Sequence, residues 1–280
     1  MPNPIADPLV EGVDSDITSG FVEIEGLGDG HAVTVWINRP ERKNAFDSTV
    51  IGALDEAFET IDNQEGIRVV FVRGRGGAFS AGADIDWMRA ASDLTEHENQ
   101  EDAMAMARML KQLHDLRPLT VALVEGPAMG GGVGLVAACD VAIATKNARF
   151  AFSEVKLGLV PATISPYVIA AIGPRRARGL FASARAFDAA FAEKIGLVDD
   201  VVADAAALEA AQARMADEIR ACGPNAVAAA KSLVAHVAGQ PIDEVVMAET
   251  ARRIAHARVS EEGREGIAAF LDKRKPDWAE

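Results

Sequence analysis

Apolar positions along the chain switch repeatedly between the two-residue period of a half-buried strand and the three-to-four-residue period of a helix face. Phe21 to Glu25 and His31 to Asn38 carry strand formers around Gly26-Leu27-Gly28-Asp29-Gly30, so the pattern predicts an opening antiparallel hairpin. Asp47 can then cap a helix striped by Val50, Ile51, Leu54, Phe58 and Ile61, and Ile67 to Arg73 follows as a strand. Thr95 to Leu116 repeats the theme as a long helix with Met104, Met106, Leu110 and Leu113, feeding a strand at Thr120 to Val124. A short buried helix at Val133 to Ala138 and a strand at Asp140 to Thr145 come next. This alternation through residue 160 predicts an α/β architecture with a largely parallel sheet layered by helices. From Pro166 the chain is alanine-rich, and helices are expected at 205–220, 225–237, 242–258 and from Gly263 to Lys275. Three parts result: residues 1–19 as a flexible N-terminal segment, 20–202 as the strand-and-helix core, and 203–280 as a helical C-terminal region.

With 280 residues, 49% of them hydrophobic, the chain can bury a large interior. A net charge of -14 argues against a general affinity for nucleic acid or an anionic membrane, both of which need clustered Lys and Arg. No basic start with a long apolar run opens the chain and no stretch is long enough to span a bilayer, so a cytoplasmic protein is expected. Cys139 and Cys222 are too few for a disulfide framework, and His31, His97, His114, His236 and His256 show no ligand spacing, so no metal is expected.

Two small-residue turns change the picture: Phe79-Ser80-Ala81-Gly82-Ala83-Asp84-Ile85 and Gly130-Gly131-Gly132. Each follows an apolar strand-like run and precedes a helix-like one, where the first amides of the helix lack partners and a ligand oxygen can approach. Taken singly, the first could be a surface turn and the second a device for close helix packing. Together they suggest an oxyanion hole, with the amides of Ala81 and Gly131 as donors. A Walker loop is excluded because Val133 and Gly134 stand where Lys and Ser or Thr would be needed. Glu154 lies in the apolar run Arg149 to Val155, where desolvation would raise its pKa into the range of a proton handler; pairing with a basic residue at a helix start is the alternative. Asp140 reads as a structural cap. Ser80 has no local activating base, and Arg39, Arg42 and Lys43 are either solvated or in contact with a phosphorylated ligand.

These residues resemble the crotonase, or enoyl-CoA hydratase/isomerase, superfamily. The resemblance rests on Asn38-Arg39-Pro40 with Asn44-Ala45, both small-residue turns, Cys139-Asp140, Phe152-Ser153-Glu154-Val155, Gly196-Leu197-Val198-Asp199 and Glu265 to Phe270. It implies a crotonase-like spiral of strand-strand-helix units over residues 20–202, with a helical C-terminal region that helps form a homotrimer or homohexamer. It also implies an acyl-CoA substrate, coenzyme A being part of that substrate and no separate cofactor being needed. By the same resemblance Ala83, Asp84 and Ile85 lie along the CoA adenine, Arg42, Lys43 and Ala45 near its pantetheine and phosphates, and Phe270 and Lys273 reach a neighbour's CoA. Trp87, Met88, Ile164 and Tyr167 are candidates for the acyl pocket. Gly134 is a departure, since many hydratases of the family carry a glutamate there besides the one matching Glu154. A single glutamate fits a double-bond isomerase, whereas Gly158 to Tyr167 with Asp86-Trp87-Met88 looks like hydratases of methylglutaconyl-CoA and related branched substrates. Hydration is therefore the leading expectation and isomerisation its rival; an RNA-binding role, found in one branch, is disfavoured by the acidic balance.

Overall fold

In the computed structural model residues 20–28 and 30–279 are described. The expected flexible segment 1–19 lies outside them, as does Asp29 of the hairpin turn. Strands β1 (Val22–Leu27) and β2 (Ala32–Ile37) form the expected antiparallel pair, with Val22 opposite Ile37. Then β2 pairs in parallel with β3 (Val69–Gly74), β3 with β4 (Leu119–Val124), and β4 with β6 (Val141–Thr145). A second, smaller sheet holds β5 (Pro127–Met129), β7 (Arg149–Ala151) and β8 (Phe187–Asp188), while β9 (Asp200–Val202) closes the large sheet.

Helices α1 (Ser48–Asn63), α2 (Ile85–Ala91), α3 (Glu96–Asp115) and α4 (Gly131–Ala138) alternate with these strands. The turns that start from β4 and β6 each run a strand in the large sheet, a short strand in the small one, then a helix. In the β3 turn the short strand shrinks to one residue, Ser80, bridged in parallel to Ala128 of β5. The chain is thus α/β, as expected.

Central strands are buried on both faces, which is why they read as continuous apolar runs. Val70 and Val72 face the main core with α1, α3 and α4, whereas Val69 and Phe71 face a second cluster with Val121, Leu123 and Ile143. That second cluster is covered by α8 (Ala205–Arg220) through Leu208 and Ala211. The caps act as expected for α1, where Asp47 accepts the Val50 amide at 3.0 Å, and Thr95 with Glu98 makes a capping box on α3. One stripe position differs: Met104 is exposed, and Met109 takes its place in the core because the buried face of α3 runs 106, 109, 110, 113.

Between core and C-terminus stand α5 (Ser165–Ile172), α6 (Pro174–Ser183) and α7 (Ala189–Ile195). After α8 come α9 (Pro224–Val237), α10 (Glu244–Val259) and α11 (Glu261–Asp272). Lys231 of α9 pairs with Asp140 at 2.6 Å and donates to the carbonyls of Leu116 and Pro118. Asp140 also accepts from the Thr120 amide and hydroxyl, which makes it the structural cap the sequence suggested. Among the described residues no helix is long and apolar enough to cross a membrane.

Candidate active site

The two small-residue turns meet because the small sheet stitches them together. Ser80 donates its amide to Pro127 O at 3.0 Å and accepts from the Met129 amide at 2.9 Å. With Ser80 in register with Ala128, Ala83 and Gly131 stand the same number of residues beyond the bridge. Glycine is needed at this junction: Gly82 has φ +83, and a Cβ there would come within 2.7 Å of Met129 O. Ser80 is locked into the scaffold, donating to Asn44 O at 2.8 Å and accepting from the Gly82 amide at 3.1 Å. It has no nucleophile's geometry.

One expected donor is spent elsewhere. The Ala81 amide donates to Lys43 O at 2.8 Å, because Lys43 and Asn44 both adopt left-handed backbone and turn that carbonyl toward the loop. Two residues on, the Ala83 amide has no acceptor among the described residues, since its neighbours Gly82 and Asp84 make the bonds of the bridge to Phe46. At the other turn Gly131 begins α4, where its amide has no intrahelical partner. The unused pair is therefore Ala83 and Gly131, not Ala81 and Gly131.

Glu154 completes the group. It opens a short 3-10 turn, Glu154–Leu157, directly after the small sheet, and Ala151 O holds the Gly130 amide at 2.9 Å. Its Oε1 lies 3.1 Å from where a Cβ on Gly130 would be, and its buried Oε2 has no hydrogen-bond partner. Burial pushes the carboxyl above its usual range, opposed weakly by a hydrogen bond from its own amide. The alternative of a helix-start glutamate paired with a base does not hold.

Glu154, Ala81, Ala83, Gly130 and Gly131 line one cavity of about 250 Å³, walled by Trp87, Met88, Leu157 and Leu159. Asp102 of α3 lines it as well. That residue was not foreseen, although it lies one helical turn before Met106 on the core-facing stripe.

Other expected residues are placed differently. Gly134 is buried and does not line the cavity, and Ile164 fills the space a side chain there would take. The Asp84 carboxylate is taken up by the fold. It is buried, caps α2 through the amides of Asp86 and Trp87, and pairs with Arg39 at 3.1 Å. Burial alone would raise its pKa, but those amides and the charges of Arg39 and Arg42 outweigh it and hold the carboxyl below its usual range. Arg39 also reaches Asp47 at 2.9 Å, so of the basic loop it is structural, while Arg42 pairs with Asp86 at 3.2 Å on the surface. Lys43, Ala45, Ile85, Tyr167, Phe270 and Lys273 do not line the cavity. Tyr167 packs against the His114 ring instead, and Ile85 and Phe270 are exposed.

The sequence profile described as enoyl-CoA hydratase/isomerase matches residues 30–280. A Mycobacterium tuberculosis protein named "Probable enoyl-CoA hydratase" is 36% identical over 246 residues, spanning 87% of this chain and 93% of its own. Among solved structures, AtuE of Pseudomonas aeruginosa superposes with a TM-score of 0.88 at 35% identity, covering 93% of this chain and 100% of the other. An enoyl-CoA hydratase from Shewanella pealeana does so at 0.87 and 36%, covering 92% and 96%.

Proposed function

The chain belongs to the enoyl-CoA hydratase/isomerase family, and on that premise we propose that it hydrates the 2,3 double bond of an enoyl-CoA thioester with a branched or medium acyl group. One observation carries this reading: a buried, unpartnered carboxylate oxygen on Glu154 shares a cavity with two amides that have no acceptor. The thioester oxygen takes the Ala83 and Gly131 amides, which stabilise the enolate formed when oxygen adds at C3. One such donor is typically worth about 2.7–4 kcal/mol of barrier. Glu154 orients the attacking water and takes its proton, a task that the upward shift of its pKa by burial favours. Trp87 and Met88 supply the apolar wall for the acyl group, and the CoA arm leaves past Arg42, Lys43, Ala45 and Ile85.

Isomerisation is the second reading, favoured by Gly134. With Ile164 in the space beneath it, no second carboxylate reaches the site from α4. Product analysis separates the two: incubation of 2-enoyl- and 3-enoyl-CoA in 18O-water gives label at C3 for hydration, and a migrated double bond without label for isomerisation.

The assembly proposed is a homotrimer or a pair of trimers. Its support is the C-terminal region, where α9 and α10 bury no residue and α11 buries only Ala269, while Val245, Phe270 and Leu271 are exposed. Phe270 and Lys273 are then placed to approach a neighbour's CoA. Light scattering on the purified chain tests this, a monomer being the contrary result.

A further inference from the structure

Asp102 brings a carboxyl to the cavity lining, where it takes a hydrogen bond from the Trp87 side chain. Met106, one turn further along α3, touches the α4 turn from below: its Cε lies 3.0 Å from where a Cβ on Gly131 would stand. Side chains four apart share a helix face and lean toward the N-terminus, so Asp102 projects from that face at the cavity wall. Glu154 enters the same cavity from the small sheet. Asp102 makes no ion pair among the described residues. Burial raises its carboxyl above the ordinary range, with the Trp87 side chain pulling the other way.

The surrounding elements offer little else that is charged. Asp55 of α1 feels the charges of Glu59 and of Arg108, further along α3, and α4 carries no titratable side chain. On α2, Asp86 and Arg89 pair with each other on the surface. From the 3-10 turn comes Glu154 itself, with Lys156 outside the cavity lining. The cavity lining therefore holds two carboxyl groups, each raised above its usual range by burial, and no basic residue.

We propose that Asp102 is the second proton-handling residue of this site, supplied from α3 in place of the carboxylate that Gly134 cannot provide. This rests on the hydration reading above. Glu154 removes a proton from water as its oxygen bonds to C3, and the C2–C3 π pair moves into the enolate held by the two amides. The Asp102 carboxyl gives its proton to C2, the enolate pair forming the C2–H bond and the thioester carbonyl returning. Glu154 then loses and Asp102 regains one proton through solvent, which closes the cycle.

The test is steady-state kinetics of the full chain on an enoyl-CoA that the wild type hydrates, comparing Asp102→Asn, Asp102→Glu and Glu154→Gln. Asp102→Asn is expected to lower kcat about 10²–10⁴-fold with KM little changed, and to remove the alkaline limb of the kcat/KM pH profile. Asp102→Glu should restore part of both, and thermal unfolding should show all three folded. Asp102→Asn with wild-type kcat and pH profile overturns the proposal, as does a rise in KM alone, which would make Asp102 a binding group. Failure of the hydration reading looks different: the wild type leaves every enoyl-CoA unhydrated, or Glu154→Gln keeps full activity, and the Asp102 proposal falls with it.

Discussion

Ile164 occupies the place of the side chain that Gly134 lacks: its Cβ lies 2.9 Å from where a Cβ on residue 134 would stand, with its Cγ2 closer still. Ile164 is 2% exposed and branched at Cβ, so it cannot swing aside freely. Gly134→Glu is therefore expected to destabilise by about 1–3 kcal/mol through overpacking, and Ile164→Ala by about 2–5 kcal/mol through the cavity it leaves. Combined, the two should cost less than their sum, since each relieves the other's misfit. Denaturant unfolding of the three variants measures the coupling, and strict additivity would mean that the two residues do not share this space.

Gly130 controls the position of Glu154 by having no side chain. Its backbone, at φ 49 and ψ -117, is one that L residues rarely adopt. A Cβ would also approach Glu154 Oε1 to 3.1 Å. Gly130→Ala should cost about 1–3 kcal/mol of stability and lower kcat more than it raises KM. A variant with wild-type kcat would show that the carboxylate does not need this clearance.

Ser80 serves the scaffold rather than the chemistry. Its hydroxyl joins Asn44 O to the Gly82 amide, and removing it leaves both buried groups without that partner. Ser80→Ala should lower stability by about 1–3 kcal/mol while leaving catalysis measurable. Complete loss of turnover in a folded variant would point to a nucleophile instead.

Elements whose signals are local were legible in the sequence. Asp47 sits at the start of α1 as the side-chain cap its sequence position suggested, and the apolar stripes of α1 and α3 gave type and extent. The small sheet was not legible, because β5 and β7 have three residues each and periodicity needs more. The candidate site divides in the same way. Gly131 and Glu154 followed from turn chemistry and an apolar setting. The choice between the amides of Ala81 and Ala83 depends on the Lys43 carbonyl, a contact no nearby residue announces. Asp102 is hidden among Glu96, Glu98 and Glu101, and only its spacing from Met106 distinguishes it from a solvated face. For Asp84 the resemblance suggested CoA, whereas tertiary pairing with Arg39 and two helix amides commits its carboxylate to the fold.

Glu154 links function to stability through its proton. Its folded pKa lies above the 4.5 of an ordinary glutamate because burial disfavours the ionised form. A group with a raised folded pKa contributes stability that is fully present below the unfolded pKa and lost as pH rises through the folded one. Above its folded pKa the ionised carboxylate therefore strains the native state, and Glu154→Gln should remove that strain. The variant is expected to melt above the wild type at pH 7, the gap closing as pH falls below about 4.5, the unfolded pKa. Its kcat should fall about 10²–10⁴-fold with KM nearly unchanged. Melting curves across this pH range, read beside kcat at one pH, check both halves. A variant that melts below the wild type at pH 7 would mean that the carboxylate has a native partner rather than an unpartnered oxygen facing the cavity.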